Sequence, residues 1–407
     1  MSDLSKHPPP SAFIRIEEPK RPRGKPPAFA LWQLGFRPFY LLASGFAAVS
    51  IGLWALQFAS VLGRPYLSGA LWHAHEMLFG FALAVMVGFL LTAGRNWSNQ
   101  PTPTGASLAA LAALWVAARV LVLTPFGWAA AVANTAFPLA AAVALAVPFI
   151  AARNRRNYFF VGVLVLMAAA ALAVHLAQLG VIALPGWLGI QIGLDVVLFV
   201  MSVMGGRVIP MFTNNGVPGA NATRRGWLER AALGSVLALL LADALGLGGA
   251  ALAALLALAT GAHLARWLLW QPWKTLRTPV VWVLHAAYLW IAIHLALRGG
   301  AAMGFVAASA ATHALTVGAV GGLVIGMMTR TARGHTGLPL RADRFDVACY
   351  ALVLAAALVR VALPLMLPAA GLAAVLGSAA LWSAGFGLYA LRYWPVLSRA
   401  RVDGKPG

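Results

Sequence analysis

Long apolar stretches alternate along the chain with short polar and basic connections. A helix crosses the hydrocarbon core of a bilayer with about 17–25 mostly apolar residues. Twelve stretches have that length and character, at roughly 41–62, 71–93, 107–123, 128–150, 158–180, 187–205, 229–246, 249–270, 279–297, 304–329, 346–363 and 370–392. The pattern predicts an all-α polytopic membrane protein with twelve transmembrane helices.

Basic residues collect at one side of these predicted helices. Of the 30 Lys and Arg residues, 26 fall in the terminal segments or at helix ends on that side, and the exceptions are Arg64, Arg119, Arg298 and Arg360. Cytoplasmic loops of membrane proteins carry an excess of Lys and Arg, so both termini are expected in the cytoplasm. Topology therefore accounts for the net charge of +20, and we expect no nucleic-acid partner.

Composition and local character divide the chain into three parts. The whole chain is 61% apolar and 10% charged, against about 45–50% and 25% in soluble domains. Residues 1–37 are basic and rich in Pro and lack the apolar core of a signal peptide, which predicts a disordered cytoplasmic tail. We expect residues 38–394 to form the membrane domain and residues 395–407 a second cytoplasmic tail.

Three predicted cytoplasmic helix ends are alike, at 92–96, 204–208 and 327–331. Two lead into polar turns, and the third leads into the predicted loop 334–337, which holds His335. The three ends recur every four helices, a spacing that indicates three four-helix units rather than two six-helix halves. Arg at the cytoplasmic end is also common in unrelated membrane helices. Both interpretations remain open from the sequence.

Histidine is the most informative ionisable residue within the predicted spans. Ionisable side chains are costly in hydrocarbon, so each is a functional candidate. A rise of about 1.5 Å per residue, counted from the cytoplasmic Arg residues, separates the histidines into two groups by depth. The outer group is His73, His75, His175, His294 and His313, and the inner group is His263, His285 and His335. A lone His near a helix end, such as His175 or His294, is more typical of an interfacial residue than of a ligand.

The segment 72–77 holds His73, His75 and Glu76 within about one helical turn. At about 100° per residue, His73 and Glu76 share a face, whereas His73 and His75 are about 200° apart. Glu76 is therefore expected to be a metal ligand or the carboxylate partner of a ligating His. Simple packing explains three ionisable residues in one turn poorly.

Two further features lie within predicted spans. Gly318, Gly322 and Gly326 follow one another at four-residue spacing, which suits close helix packing or, less often, the approach of a flat macrocycle. Asp195 has no partner nearby in the sequence, so it either bonds to a neighbouring helix or belongs to a proton path.

Imidazole is a suitable ligand for haem iron and copper, and the single Cys349 excludes a cluster of thiolate ligands. A haem also carries two propionates, which Arg binds in bidentate geometry. Arg119 and Arg360, near the outer ends of their predicted helices, would suit a haem in the outer leaflet. Haem and copper sites built from intramembrane His are the chemistry that these residues favour.

Several motifs resemble those of the NnrS family, and they lie at 72–81, 88–93, 206–213, 313–318, 328–330 and 334–337. The resemblance implies a bacterial inner-membrane protein that contains haem, here expected to be haem b, and copper. It implies a role in denitrification and in tolerance of nitric oxide and nitrosative stress. The motif positions that it singles out are His73, His75, His285, His313 and His335.

Depth, azimuth and resemblance together predict two metal sites. His73, His75 and His313 would form the outer site, with Glu76 as ligand or supporting carboxylate. His285, with His335 or His263, would form a second site nearer the cytoplasm.

The predicted function is protection against nitric oxide or handling of its products, by an enzyme or by a protein without turnover. Nitric oxide is small and soluble in lipid, so a buried site could meet it without a polar channel. The alternatives are a proton-coupled transporter and a haem-based nitric oxide sensor or accessory subunit.

Overall fold

The computed structural model describes residues 29–58, 61 and 66–404. The fold is all-helical, with 81% of residues in helices and no strand among the described residues. Residues 1–28, which make up most of the predicted N-terminal tail, and Arg64 lie outside the described residues.

A helix overlaps each apolar stretch of the sequence. In chain order they are α1 (Phe36–Phe58), α2 (Gly69–Ser98), α3 (Gly105–Leu121), α4 (Gly127–Ala151), α5 (Phe159–Gln178), α6 (Gly186–Gly216), α7 (Gly226–Ala244), α8 (Gly249–Leu269), α9 (Pro279–Ala302), α10 (Ala308–Thr336), α11 (Arg344–Met366) and α12 (Gly371–Ser398). In the part of the chain that the structure describes, ten of these are long and apolar enough to cross a membrane.

The other two helices are α3 and α7. Helix α3 is apolar but only 17 residues long, and α7 carries Glu229, Arg230 and Asp243 within its 19 residues. The prediction of an all-α polytopic membrane protein is confirmed at the level of ten candidate spans. The count of twelve spans and the three four-helix units stay predictions.

Helices α2, α6 and α10 continue beyond their predicted cytoplasmic ends. The hydroxyls of Ser98, Thr213 and Thr336 donate hydrogen bonds of 2.7–2.8 Å to carbonyls four residues earlier in their own helices. Polar residues predicted as turns are thereby accommodated inside the last helical turns. His335, expected in a loop, lies in the last turn of α10.

The two terminal segments meet at one end of the bundle. The N–H of Ala30 donates to the carbonyl of Ser398 at 2.7 Å, and Arg37 donates to the carbonyl of Leu397 at 2.8 Å. The N–H of Val402 donates to the carbonyl of Thr336 at 3.1 Å. The start of α1 and the ends of α10 and α12 therefore lie on the same side.

Helices α2 and α10 each contain a π-helical segment, at Glu76–Ala82 and Ala314–Gly321. The first begins directly after His75 and the second directly after His313. Wider π turns occur frequently at functional sites. They also break the regular advance of about 100° per residue on which azimuths read from the sequence depend.

The glycine stripe of α10 packs against α9. A Cβ added to Gly322 would lie 2.6 Å from Ala287 Cβ, and one added to Gly326 would lie 2.8 Å from Leu284 Cδ2. The nearest neighbour of Gly318 is Trp290, also on α9. The interpretation of the stripe as a helix-packing surface is confirmed.

Candidate functional site

A cavity of about 650 Å³ lies between α1, α2, α6, α10, α11 and α12. Ligand pockets typically measure about 300–1,000 Å³. Most lining side chains are apolar, and the polar members are His73, Gln191, Ser309, Thr312, His313, Thr316, Arg360 and Ser378. Phe58 and Trp187 also line the cavity and are each 52% exposed, so the cavity reaches the surface of the bundle.

His73 and His313 form a pair of imidazoles on the cavity wall. Their ring centroids are 6.2 Å apart and their planes are within 9° of parallel. His73 comes from α2 and packs against Trp54 with a centroid distance of 4.3 Å. Its buried Nδ1 has no hydrogen-bond partner among the described residues. Two helices thus present imidazoles to the same cavity.

The backbone fixes the orientation of His313. Its Nδ1 lies 2.7 Å from the carbonyl oxygen of Ser309, which can only accept, so Nδ1–H donates. The neutral ring then carries its free lone pair on Nε2, an arrangement common among metal-binding histidines. Arg360 donates to the Ser309 hydroxyl at 3.3 Å, which places a guanidinium at the same wall.

His75 lies in a separate group, the Glu76 network, which consists of His75, Glu76, Arg119 and Asn134. Glu76 Oε1 lies 2.8 Å from His75 Nδ1 and accepts a hydrogen bond of 2.7 Å from Arg119. Arg119 also donates to the Asn134 side-chain oxygen, and the Asn134 amide donates to the Ala130 carbonyl at 2.8 Å. The network joins α2, α3 and α4, and all four side chains are buried.

His175 of α5 completes this second site. Its ring centroid is 4.9 Å from that of His75, with the planes at 78°, and Tyr66 stacks against it at 6.0 Å. His75 Nε2 and both ring nitrogens of His175 are buried, and these atoms have no hydrogen-bond partner in the described structure. Buried polar atoms without partners call for a bound ion or water.

The outer site expected from the sequence is therefore divided between two places. His73, His313 and Arg360 line the cavity, whereas His75 does not, because it lies on another face of α2. Arg119, expected to pair with a haem propionate, has Glu76 and Asn134 as its partners instead. Across the described residues, no group of three or more His, Cys, Asp or Glu is placed to hold a metal ion.

Comparison with protein families gives one match. The family model described as NnrS protein matches residues 30–401, which is nearly the whole chain. The chain belongs to the NnrS family. The resemblance of its motifs to NnrS is thereby confirmed, and a search of curated proteins finds no match.

The inner histidines of this NnrS chain each contact a different side chain. Thr213 donates its hydroxyl hydrogen to the Ile209 carbonyl, so it accepts from His285 Nε2 at 2.8 Å. His263 Nδ1 instead lies 2.7 Å from the Tyr288 hydroxyl. The two histidines thus have different partners on different helices.

His335 is the third member of the predicted inner site. Its ring packs against Phe36 with a centroid distance of 5.4 Å, and its carbonyl accepts from Arg401 at 3.1 Å. The three inner histidines therefore contact different side chains, and the neighbours of each depend on how α8, α9 and α10 pack around them. Depth along the chain gives no information on that neighbourhood.

Asp195 bonds to polar groups outside its immediate sequence. It accepts from Gln191 at 3.1 Å and from Arg298 of α9 at 3.4 Å. Arg298 also pairs with Asp243 of α7. The expectation of a partner on a neighbouring helix is confirmed, and Gln191 connects this group to the cavity wall.

Three residues that contribute to these sites show little or no signal in the sequence. His175 had the correct depth but stood alone, and Asn134 and Gln191 carried no signal beyond being polar residues in apolar stretches. Their roles depend on which helices are neighbours in space.

Proposed function

We propose that this NnrS protein binds haem b and copper in the bacterial inner membrane and acts in the response to nitric oxide, protecting against it or handling its products. The observation that carries the proposal is the pair His73 and His313 on the wall of a 650 Å³ cavity. These two imidazoles would hold the haem iron, and Arg360 would bind a propionate.

The remaining lining supports a flat apolar group. Trp54, Phe81 and Trp382 are almost fully buried and line the cavity together with aliphatic side chains. A haem bound here would supply iron, for which nitric oxide would compete with one of the two imidazoles. The side chains of this chain would orient the group and exclude water, and a neutral ligand soluble in lipid would need no polar entry channel.

Copper would occupy the second site, between His75 and His175. Both imidazoles are buried with nitrogens that lack partners, and copper accepts imidazole ligands readily. Glu76 lies beside His75 Nδ1 and would keep His75 Nε2 available to the metal. Arg119 donates to Glu76 and offsets the charge of the carboxylate inside the bundle.

The same proposal includes the topology. Helices α3 and α7 complete twelve spans, and both termini lie in the cytoplasm, where the basic residues collect. Helices α2, α6 and α10, which carry the three similar cytoplasmic ends, all line the cavity. Their convergence supports a plan of three four-helix units arranged around one site.

A proton-coupled transporter is the second candidate, and the group around Asp195 favours it. Asp195 is buried within α6, and its Oδ2 has no hydrogen-bond partner among the described residues. Gln191 bonds to Asp195 and also lines the cavity. An acidic residue beside a large cavity could exchange a proton with a transported solute.

The test is metal analysis of the purified protein, made in cells supplied with iron and copper. We expect stoichiometric haem by the pyridine haemochrome assay, a Soret band that shifts with nitric oxide, and copper in the same preparation. Folded protein that holds neither metal would contradict the proposal. Proton uptake driven by a solute in proteoliposomes would then support transport.

A further inference from the structure

A second, smaller cavity lies along the same helices as the first. It measures about 70 Å³ and is lined by residues of α1, α2, α6, α9 and α10. Its distinctive members are four methionines, Met86, Met201, Met204 and Met327. Every lining residue is buried or half-buried.

The lining gives water few partners. Apart from the hydroxyl of Tyr40, every side chain that lines the smaller cavity is apolar. A buried water usually makes about three hydrogen bonds, and apolar cavities stay dry and bind apolar guests. The volume exceeds the roughly 30 Å³ that one water occupies in the liquid. It suits a neutral molecule of two or three heavy atoms, which the polarisable methionine sulfurs would attract by dispersion.

The two cavities are adjacent along three helices. Ala82 of α2 lines both of them. On α6, Val197 lines the larger cavity and Val200 lines the smaller one. On α10, Val320 lines the larger cavity and Leu323 lines the smaller one. The wall at these points consists of aliphatic side chains no larger than leucine. A diatomic molecule could cross it by side-chain rotation, without movement of a helix.

We propose that the smaller cavity is a docking site for a neutral diatomic or triatomic gas molecule, which exchanges with the larger cavity past Ala82. The lining and the volume of the smaller cavity support the docking site independently of any metal. The exchange with a reactive centre rests on the proposed function, because only a metal in the larger cavity would give the gas a place to react.

Xenon tests the docking site directly, since it is apolar, polarisable and detectable by anomalous scattering. Crystals of the full chain exposed to xenon gas under pressure should show a xenon peak among the four methionines. In the variant Val200→Phe the ring fills the smaller cavity, and the peak should be lost. The matched control is Val143→Phe, at a position on α4 that is 65% exposed, and it should keep the peak.

Two results would overturn the docking site: no xenon among the methionines of the wild type, or ordered water in its place. Should Val200→Phe fail to fold, Val324→Ile adds a single methylene to the same lining and should lower the xenon occupancy.

The exchange step has a separate readout. Light releases carbon monoxide from a haem, and a fraction of the released gas stays inside the protein and rebinds. In haem-loaded protein, Val200→Phe should lower that fraction. An unchanged fraction would overturn the exchange with the larger cavity. Protein without haem would contradict the proposed function but leave the xenon result standing.

Discussion

At the scale of single residues, neighbouring side chains of α2 serve two different places. His73 faces the large cavity with His313, while His75 and Glu76 face Arg119 and His175. Side chains two positions apart on a helix point in different directions. One short segment of sequence can therefore contribute to two adjoining sites.

The first prediction concerns the haem ligands. His73→Ala and His313→Ala should each remove haem while leaving copper, because each deletes one imidazole from the cavity. The control is His294→Gln on α9, which replaces a buried imidazole outside the cavity and should retain haem. Haem per chain, measured by pyridine haemochrome on folded protein, is the readout. Full haem in either alanine variant would contradict the assignment.

The second prediction concerns the buried ion pair between Glu76 and Arg119. Glu76→Gln leaves the Arg119 guanidinium without a counter-charge, and breaking a buried pair costs about 3–5 kcal/mol. Thermal unfolding in detergent should show this loss, and the double variant Glu76→Gln with Arg119→Gln should recover a large part of it. Copper should fall in both variants, because His75 loses its carboxylate partner. Unchanged stability in Glu76→Gln would contradict the account.

The sequence predicts individual site residues better than their pairing. The depth of His73, His313 and Arg360 follows from counting along one helix, and all three line the cavity. The pairing of His75 with His175 joins α2 to α5 and depends on tertiary packing. The pairing of Arg119 with Glu76 also depends on tertiary packing. The sequence therefore led us to expect a haem propionate as the partner of Arg119.

At the scale of elements, packing between α9 and α10 depends on glycine. Gly322 lies against the backbone and Cβ of Ala287, which cannot move aside as a flexible side chain could.

Gly322→Ala should destabilise the protein, because the added Cβ would lie 2.6 Å from Ala287 Cβ and force the two helices apart. The matched control is Gly261→Ala on α8, where an added Cβ meets nothing within 4 Å. That control should be neutral or stabilising by up to about 1 kcal/mol, from the higher helix propensity of Ala. Thermal unfolding of the two variants side by side is the measurement, and equal effects would contradict the packing role.

Asp343 caps α11, accepting from the N–H groups of Phe345 at 2.9 Å and Asp346 at 3.1 Å. Burial would raise the pKa of Asp343, but these N–H groups together with Arg392 and Arg333 lower it below its ordinary value. Its stabilisation is thus present above the ordinary carboxyl pKa and is lost as the pH falls through the lowered value.

Asp343→Ala should therefore cost about 0.5–2 kcal/mol at neutral pH. The difference in Tm from the wild type should shrink in acid. Asp343→Asn, which keeps a capping oxygen, serves as the control and should lose less. A difference that stays constant with pH would contradict the role of the charge.

The sequence predicts where each helix lies, but it does not predict where α2, α6 and α10 end or which of their turns are π-helical. Apolar stretches of spanning length give the location of each helix, but the extensions of α2, α6 and α10 depend on hydroxyls that bond back to their own helices. The π segments at Glu76–Ala82 and Ala314–Gly321 have no periodic signature in the sequence. They change which faces of α2 and α10 meet the cavity.

At the scale of the whole molecule, the terminal segments provide the reference for orientation. Ala30 bonds to Ser398 and Val402 bonds to Thr336, so both ends of the described chain lie on one side of the bundle. Ten spans and twelve spans both satisfy this arrangement. Whether α3 and α7 cross the membrane therefore needs a separate test.

Cysteine labelling in intact cells tests these two crossings, in a background with Cys349→Ala. Thr124→Cys lies between α3 and α4, and Leu247→Cys lies between α7 and α8. Both should react with a membrane-impermeant maleimide from outside the cell. Gly219→Cys, between α6 and α7, should react only after permeabilisation. A Thr124→Cys or Leu247→Cys that is protected until permeabilisation would contradict twelve spans.

We propose above all that His73 and His313 hold one haem between α2 and α10. Electron paramagnetic resonance of the oxidised protein tests it most directly, since the signal reports the axial ligands of ferric haem. The account predicts a low-spin signal from two imidazoles with near-parallel planes, matching the 9° between the rings. The signal should vanish in His73→Ala and in His313→Ala. A haem signal that is the same in both variants and the wild type would contradict the claim.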